Sequence, residues 1–214
     1  MLAYACNFLG EVYWSKYEFD KAQECYHLSL KTSEELVEID PSIDTCYNLS
    51  TCYRNLGRCY ESQGKYEQAL TYHNDRLRVL NMIAELDPDN RAYCDDSLMC
   101  CYTDLYDIYE QTCDIPNARE CITQALTIAE RLDQEENSDY TKDSLHVVYV
   151  RMASLANLEE DLLEERNWYL KALDIAIQLA DKQADIADRQ RLARTLFNLS
   201  ANSRALGNYD EAED

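Results

Sequence analysis

One phrase recurs along this chain at a nearly fixed distance. Gly10 and Gly57 stand 47 residues apart, as do Tyr13 and Tyr60, and Ala22 and Ala69. "EIDP", ending at Pro41, returns as "ELDP", ending at Pro88. The next step is 49, from Tyr60 to Tyr109 and from Ala69 to Ala118. The spacing of 47 then resumes: "YCDDSL" (Tyr93–Leu98) becomes "YTKDSL" (Tyr140–Leu145), and "QALTIA" (Gln124–Ala129) becomes "KALDIA" (Lys171–Ala176). Gly207-Asn208-Tyr209 finally repeats Gly64-Lys65-Tyr66. Self-similarity at such a period marks a repeat array, in which each unit buries its apolar face against its neighbours.

Each copy divides into two helical segments. Apolar residues recur at helical spacing before and after Gly64-Lys65, and Asp40-Pro41 and Asp87-Pro88 close the second helices, because a residue before proline is pushed out of helical geometry. The pattern predicts first helices near Met1–Ser15, Ser42–Gln63, Asp89–Gln111, Ser138–Glu160 and Asp185–Leu206. Second helices are expected at Tyr17–Ile39, Tyr66–Leu86, Ile115–Asp133 and Leu163–Ala180, with a fragment from Tyr209. The fold class is therefore all-α, built of antiparallel helix pairs. We read residues 1–214 as a single repeat domain, divided near 1–41, 42–88, 89–137, 138–184 and 185–214.

Composition narrows the function classes. The formal net charge is −21, from 20 basic and 41 acidic residues, which opposes nucleic acid and anionic membranes as partners. The ten cysteines contain no CxxC pair, and several sit beside core aromatics, as in Cys52-Tyr53 and Cys101-Tyr102. They read as reduced packing residues in a cytoplasmic protein, and Cys100-Cys101 reads as packing rather than a redox sensor. His27, His73 and His146 are scattered, so no metal is expected. No phosphate-binding glycine loop, nucleophile elbow or paired-histidine motif occurs, and no cofactor or enzymatic activity is expected. The acidic run Leu158–Glu165 reads as a solvated edge at a helix–helix turn.

The residues resemble a known family. Leu56-Gly57, Tyr60, Gly64, Tyr66, Ala69-Leu70 and Pro88 follow the tetratricopeptide pattern, as do Leu9-Gly10, Tyr13, Ala22 and Tyr26. The ordinary tetratricopeptide period is about 34. The lengthened period here is similar to that of kinesin light chains and of bacterial multidomain signalling proteins. Departures fall in the third and fourth copies, where Tyr106 and Ala153 stand at the glycine position and Glu165 at the close-packing alanine.

The resemblance implies a right-handed superhelical solenoid whose first helices line a concave groove, and a non-enzymatic module that binds a peptide segment of a partner there. Carried onto this sequence, the groove face takes Tyr4, Asn7, Glu11 and Trp14 in the first copy, and Thr51, Arg54, Asn55 and Arg58 in the second. The third gives Thr103, Asp104, Asp107 and Glu110, the fourth Val150, Arg151, Ser154 and Asn157, and the fifth Arg194, Phe197, Asn198 and Arg204. Asn7, Trp14, Arg54, Asn55, Arg58, Asp104, Asp107, Arg151, Arg194 and Asn198 are the candidate contacts. Arg54 and Arg58, one helical turn apart, suit a carboxylate or phosphate. Pairing with Glu11, Asp104 and Asp107 on neighbouring helices is the favoured alternative. Glu11, Cys100 and Asp104 stand where the family's chaperone-tail binders keep cationic and amide donors, so that ligand is not expected.

A second reading makes this segment the regulatory or sensor part of a larger bacterial signalling or defence enzyme. The short stretch after Gly207 is expected to leave the C-terminal repeat uncapped and open to self-association.

Overall fold

The computed structural model describes residues 2–86, 91–181 and 186–207, with no side-chain account of 91–93. Among the described residues every regular element is helical, and nine helices follow one another: α1 (Leu2–Ser15), α2 (Phe19–Ile39), α3 (Ile43–Glu61), α4 (Tyr66–Leu86), α5 (Arg91–Gln111), α6 (Ile115–Glu136), α7 (Asp139–Leu158), α8 (Leu162–Ala180) and α9 (Ile186–Ala205). The observed bounds follow the expected ones to within a few residues. The expected starts at Asp89 and Asp185, the stop at Pro88 and the fragment from Tyr209 lie outside the described residues. None of the described helices is long and apolar enough to cross a membrane.

The chain forms two compact units, Met1–Thr112 and Cys113–Asp214. In the first, α1 packs on α2, α2 on α3, α3 on α4 and α4 on α5. Its core holds Ala22, Tyr26, Leu56, Ala69 and Leu80. In the second, α6 packs on α7, α7 on α8 and α8 on α9, around Ala125, Leu155, Ala156, Ala172 and Ala176.

Small residues set the helix spacing in the first unit. A Cβ built on Gly10 would lie 2.4 Å from Tyr26 Cε1, and one on Gly57 would lie 2.5 Å from His73 Nε2. Both rings are buried, so glycine is what lets each helix pair close over a large side chain.

The turns repeat too. Tyr17 (φ 60°), Gly64 (φ 69°), Cys113 (φ 57°), Glu160 (φ 61°) and Gly207 (φ 80°) occupy equivalent positions, all in the left-handed region. The Tyr17 N–H donates to Trp14 O and the Glu18 N–H to Tyr13 O, which is the Schellman closure of a helix end. Gly64 and Lys65 close α3 in the same way, on Glu61 O and Tyr60 O.

Helix starts are capped in register as well. The Ser42 and Ser138 side chains accept from the Thr45 and Thr141 N–H groups, with each threonine returning a bond to its cap. Asp114 and Asp161 cap α6 and α8. Each such cap contributes ~1 kcal/mol and fixes where a helix begins.

Candidate binding surface

In the first unit the predicted residues fall on α1, α3 and α5. The Asn55 side chain is buried, and its amide donates to Asn7 Oδ1 at 2.9 Å, bridging α3 to α1. This bond absorbs much of what either asparagine could offer a ligand. Near the helix C-termini, the Arg58 guanidinium lies over the Trp14 ring, 5.6 Å from its centroid. Trp14, Arg58 and Asp107 line one cavity of about 410 Å³ together with Glu61, Tyr66 and Glu110. A smaller cavity, about 220 Å³, is lined by Tyr4, Asn7, Asn48, Thr51 and Cys52, with the Ser29 and Ser33 hydroxyls close to the Cys52 thiol.

Asp104 is committed elsewhere. Arg76 of α4, only 4% exposed, donates to Asp104 Oδ2 at 2.6 Å and to Ser97 O at 3.2 Å. The expected alternative, in which Asp104 neutralises Arg54 or Arg58, therefore does not occur. Among the described residues neither arginine forms an ion pair within 4.0 Å, and both are exposed. Nothing in the sequence distinguishes buried Arg76 from exposed Arg78 two residues on.

Beneath this cluster lies His73, fully buried and with neither ring nitrogen hydrogen-bonded. Its Nδ1 is 3.9 Å from Asp104 Oδ2, beyond hydrogen-bond reach. Burial drives its pKa down to about 4; Asp104 pulls it up, and Arg76, Arg54 and Arg58 press it down. The imidazole is thus neutral at physiological pH and acts as a packing ring against Gly57. Cys101, also buried, donates its thiol to His73 O at 3.4 Å, which agrees with a packing role. Burial likewise raises the Cys100 thiol pKa, the opposite of what a reactive cysteine needs. All ten cysteines are free thiols.

In the second unit, Arg151 is half-buried on α7, while exposed Arg194 and half-buried Asn198 sit one turn apart on α9. Glu165 explains itself here. It is 6% exposed, and its Oε2 accepts from Asn202 Nδ2 at 2.8 Å and Asn157 Nδ2 at 3.3 Å. Two amide donors from α9 and α7 satisfy the carboxylate that replaces the close-packing alanine. Among the described residues no group of His, Cys, Asp and Glu side chains could hold a metal ion.

Residues 1–82 match the family model of the tetratricopeptide repeat. No curated protein matches the chain. Among solved structures, BtubC (BKLC) from P. vanneervenii is similar at 23% identity and a TM-score of 0.76, over 97% of this chain and 74% of that one. The nearly identical TPR-like repeats of a Podosopora anserina protein assigned as a kinesin light chain align at 13% identity and a TM-score of 0.70, over 98% and 89%. The apo form of RapI aligns at 15% identity and a TM-score of 0.74, over 99% of this chain; the chain spans 66% of RapI. Repeats of this kind generally engage other proteins and are generally non-catalytic. Residues 1–82 are thus similar to tetratricopeptide repeats, and the chain as a whole has an all-α helical-repeat fold.

Proposed function

We propose that this chain is a non-enzymatic interaction module that holds a segment of a partner protein against the α1, α3 and α5 faces of its first unit. One observation carries the reading. In a chain of net charge −21, Arg54 and Arg58 stand one turn apart, exposed and with no ion pair among the described residues, while buried Arg76 holds Asp104. Stacking on Trp14 restrains Arg58 and lowers the entropy lost when it grips an anion. A carboxylate or phosphate on the bound segment suits the pair. Glu61, Asp107 and Glu110 in the same cavity repel a bare polyanion, so the segment carries its acidic group beside polar or cationic residues. Arg151, Arg194 and Asn198 are the corresponding candidate contacts of the second unit.

The test is selection of binding peptides from a displayed library on the full chain, followed by titration against an Arg54→Ala/Arg58→Ala variant. Selected peptides should carry an acidic or phosphorylated residue, and the variant should bind them at least tenfold more weakly. Exposed ion pairs and an exposed cation–π contact are each worth only ~0–1 kcal/mol, so the melting temperature should move little. Unchanged binding with a large loss of stability would place both arginines in the structure instead.

A further inference from the structure

The same trio of side chains occurs in both units, two repeats apart. Glu34, Tyr53 and Tyr72 in the first correspond to Glu130, Tyr149 and Trp168 in the second. In each the tyrosine hydroxyl donates to the glutamate: Tyr53 to Glu34 Oε1 at 3.2 Å, and Tyr149 to Glu130 Oε1 at 3.5 Å. The ring pairs also share a geometry. The Tyr53 and Tyr72 centroids are 6.4 Å apart with the rings tilted by 35°; for Tyr149 and Trp168 the values are 5.7 Å and 33°.

The two pairs differ in what lies on them. In the second unit Lys171 places its ammonium over both rings, 3.9 Å from the Trp168 centroid and 5.5 Å from that of Tyr149. The negative ring faces hold the cation, and the carboxylate that takes the tyrosine proton strengthens the field. In the first unit Asp75 stands where Lys171 would be. Among the described residues no cation lies over Tyr53 or Tyr72; Lys65 lies over Tyr60, which stacks on Tyr72 at 5.4 Å. Burial raises the Tyr53 phenol pKa, and Glu34 and Asp75 raise it further, so both carboxylates act at that hydroxyl. Asp75 is also paired with Arg78 of its own helix, whose side chain is 78% exposed, and such an exposed pair is weak enough to be shared with an entering ammonium.

We infer that the Tyr53–Tyr72 pair, with Glu34 and Asp75 beside it, docks a lysine side chain from a basic segment of a partner protein. The chain itself names the occupant: an ammonium fills the equivalent place in the second unit, and in the first an acid has replaced the residue that would supply it. Charge complementarity agrees, since the −21 field draws basic segments in and repels anionic partners and a second copy. All four residues are half-buried or exposed, so the place is accessible. None of them belongs to the α1, α3 and α5 contacts proposed above, and the inference does not rest on that reading.

The experiment titrates the full chain, by fluorescence anisotropy, with a labelled Gly/Ser peptide bearing two lysines and with its glutamate counterpart. The lysine peptide should bind, more weakly as salt rises, and the glutamate peptide should not. Asp75→Lys, which lets the chain fill its own site, should weaken binding at least tenfold. Adding Lys171→Asp vacates the second-unit rings and should restore it, whereas adding Lys16→Asp, with the same net charge, should not. Tyr72→Leu should weaken binding at least fivefold, Tyr72→Phe should leave it unaltered, and Arg54→Ala/Arg58→Ala should not weaken it. Equal binding of both peptides, indifference to Asp75→Lys, or equal rescue by Lys16→Asp and Lys171→Asp overturns the inference. So does tighter Tyr72-dependent binding of free spermine than of the peptide. Should Tyr72→Leu fail to fold, the charge swap decides alone.

Discussion

Replacing Gly57 with alanine isolates the contact that closes α3 over α4. The added Cβ would lie 2.5 Å from His73 Nε2, 2.7 Å from Cε1 and 2.8 Å from Cδ2, all inside van der Waals contact. His73 has no exposed surface into which the ring can swing. Overpacking of a closed core costs about 1–3 kcal/mol, and three compressed ring atoms put this case near 3. Against that, alanine in a helix interior gains about 1 kcal/mol over glycine. The net loss is about 2 kcal/mol, or roughly 4–8 °C in melting temperature for a chain of this size.

The refuting control is His73→Ala. With the ring gone the clash disappears and only the propensity term survives, so Gly57→Ala should stabilise the His73→Ala background by about 0.5–1 kcal/mol. The same substitution thus changes sign between the two backgrounds, and circular dichroism melts of the four proteins read the coupling directly. If Gly57→Ala costs the same with and without His73, the ring is not what glycine accommodates. A neutral Gly57→Ala in the native background would be equally damaging to the argument.

Four further outcomes follow from the same structure. Glu160→Gly should stabilise by about 1 kcal/mol, since Glu160 holds a left-handed φ of 61° at the position where Gly64 and Gly207 appear; no gain in a thermal melt would show the turn to be unstrained. Asp104→Asn should cost about 2–3 kcal/mol by leaving buried Arg76 without its counter-charge, whereas Asp107→Asn should cost far less, as denaturant melts can compare. Burial lowers the pKa of His73 and His146 from the usual 6.5 to about 4, so the unfolded chain takes up their protons first. Stability should be fully present above pH 6.5 and fall as the pH drops toward 4; an acid titration of His73→Gln should show a shallower fall between pH 6.5 and 5. Thiol titration in denaturant without reductant should find all ten cysteines free, and a stable shortfall of two or more would contradict the reduced state.

What the sequence disclosed is what periodicity encodes. The recurrence of glycine 47 residues apart was legible, while the rings it accommodates, Tyr26 against Gly10 and His73 against Gly57, emerge from the packing. Turn positions were equally legible: once Gly64 and Gly207 are aligned, Tyr17, Cys113 and Glu160 are the residues that must accept a left-handed backbone. The alanine positions at 22, 69 and 118 are fully buried, as small residues at a helix crossing should be.

Features outside the period were not legible, and Asp104 and Arg76 among them set the charge of the candidate surface. Glu165 breaks the alanine pattern, and only tertiary packing shows why it is tolerated, because its donors Asn157 and Asn202 lie on α7 and α9. Asp104 fits the groove pattern as well as Asp107 does, yet Arg76 removes it. Arg76 has lost nearly all its hydration, so it gains far more from a carboxylate than exposed Arg54 or Arg58 would. The competition for Asp104 is therefore decided by burial rather than proximity along the helix. Arg54 and Arg58 are in this sense left unneutralised by Asp104 because a buried arginine keeps that acid occupied.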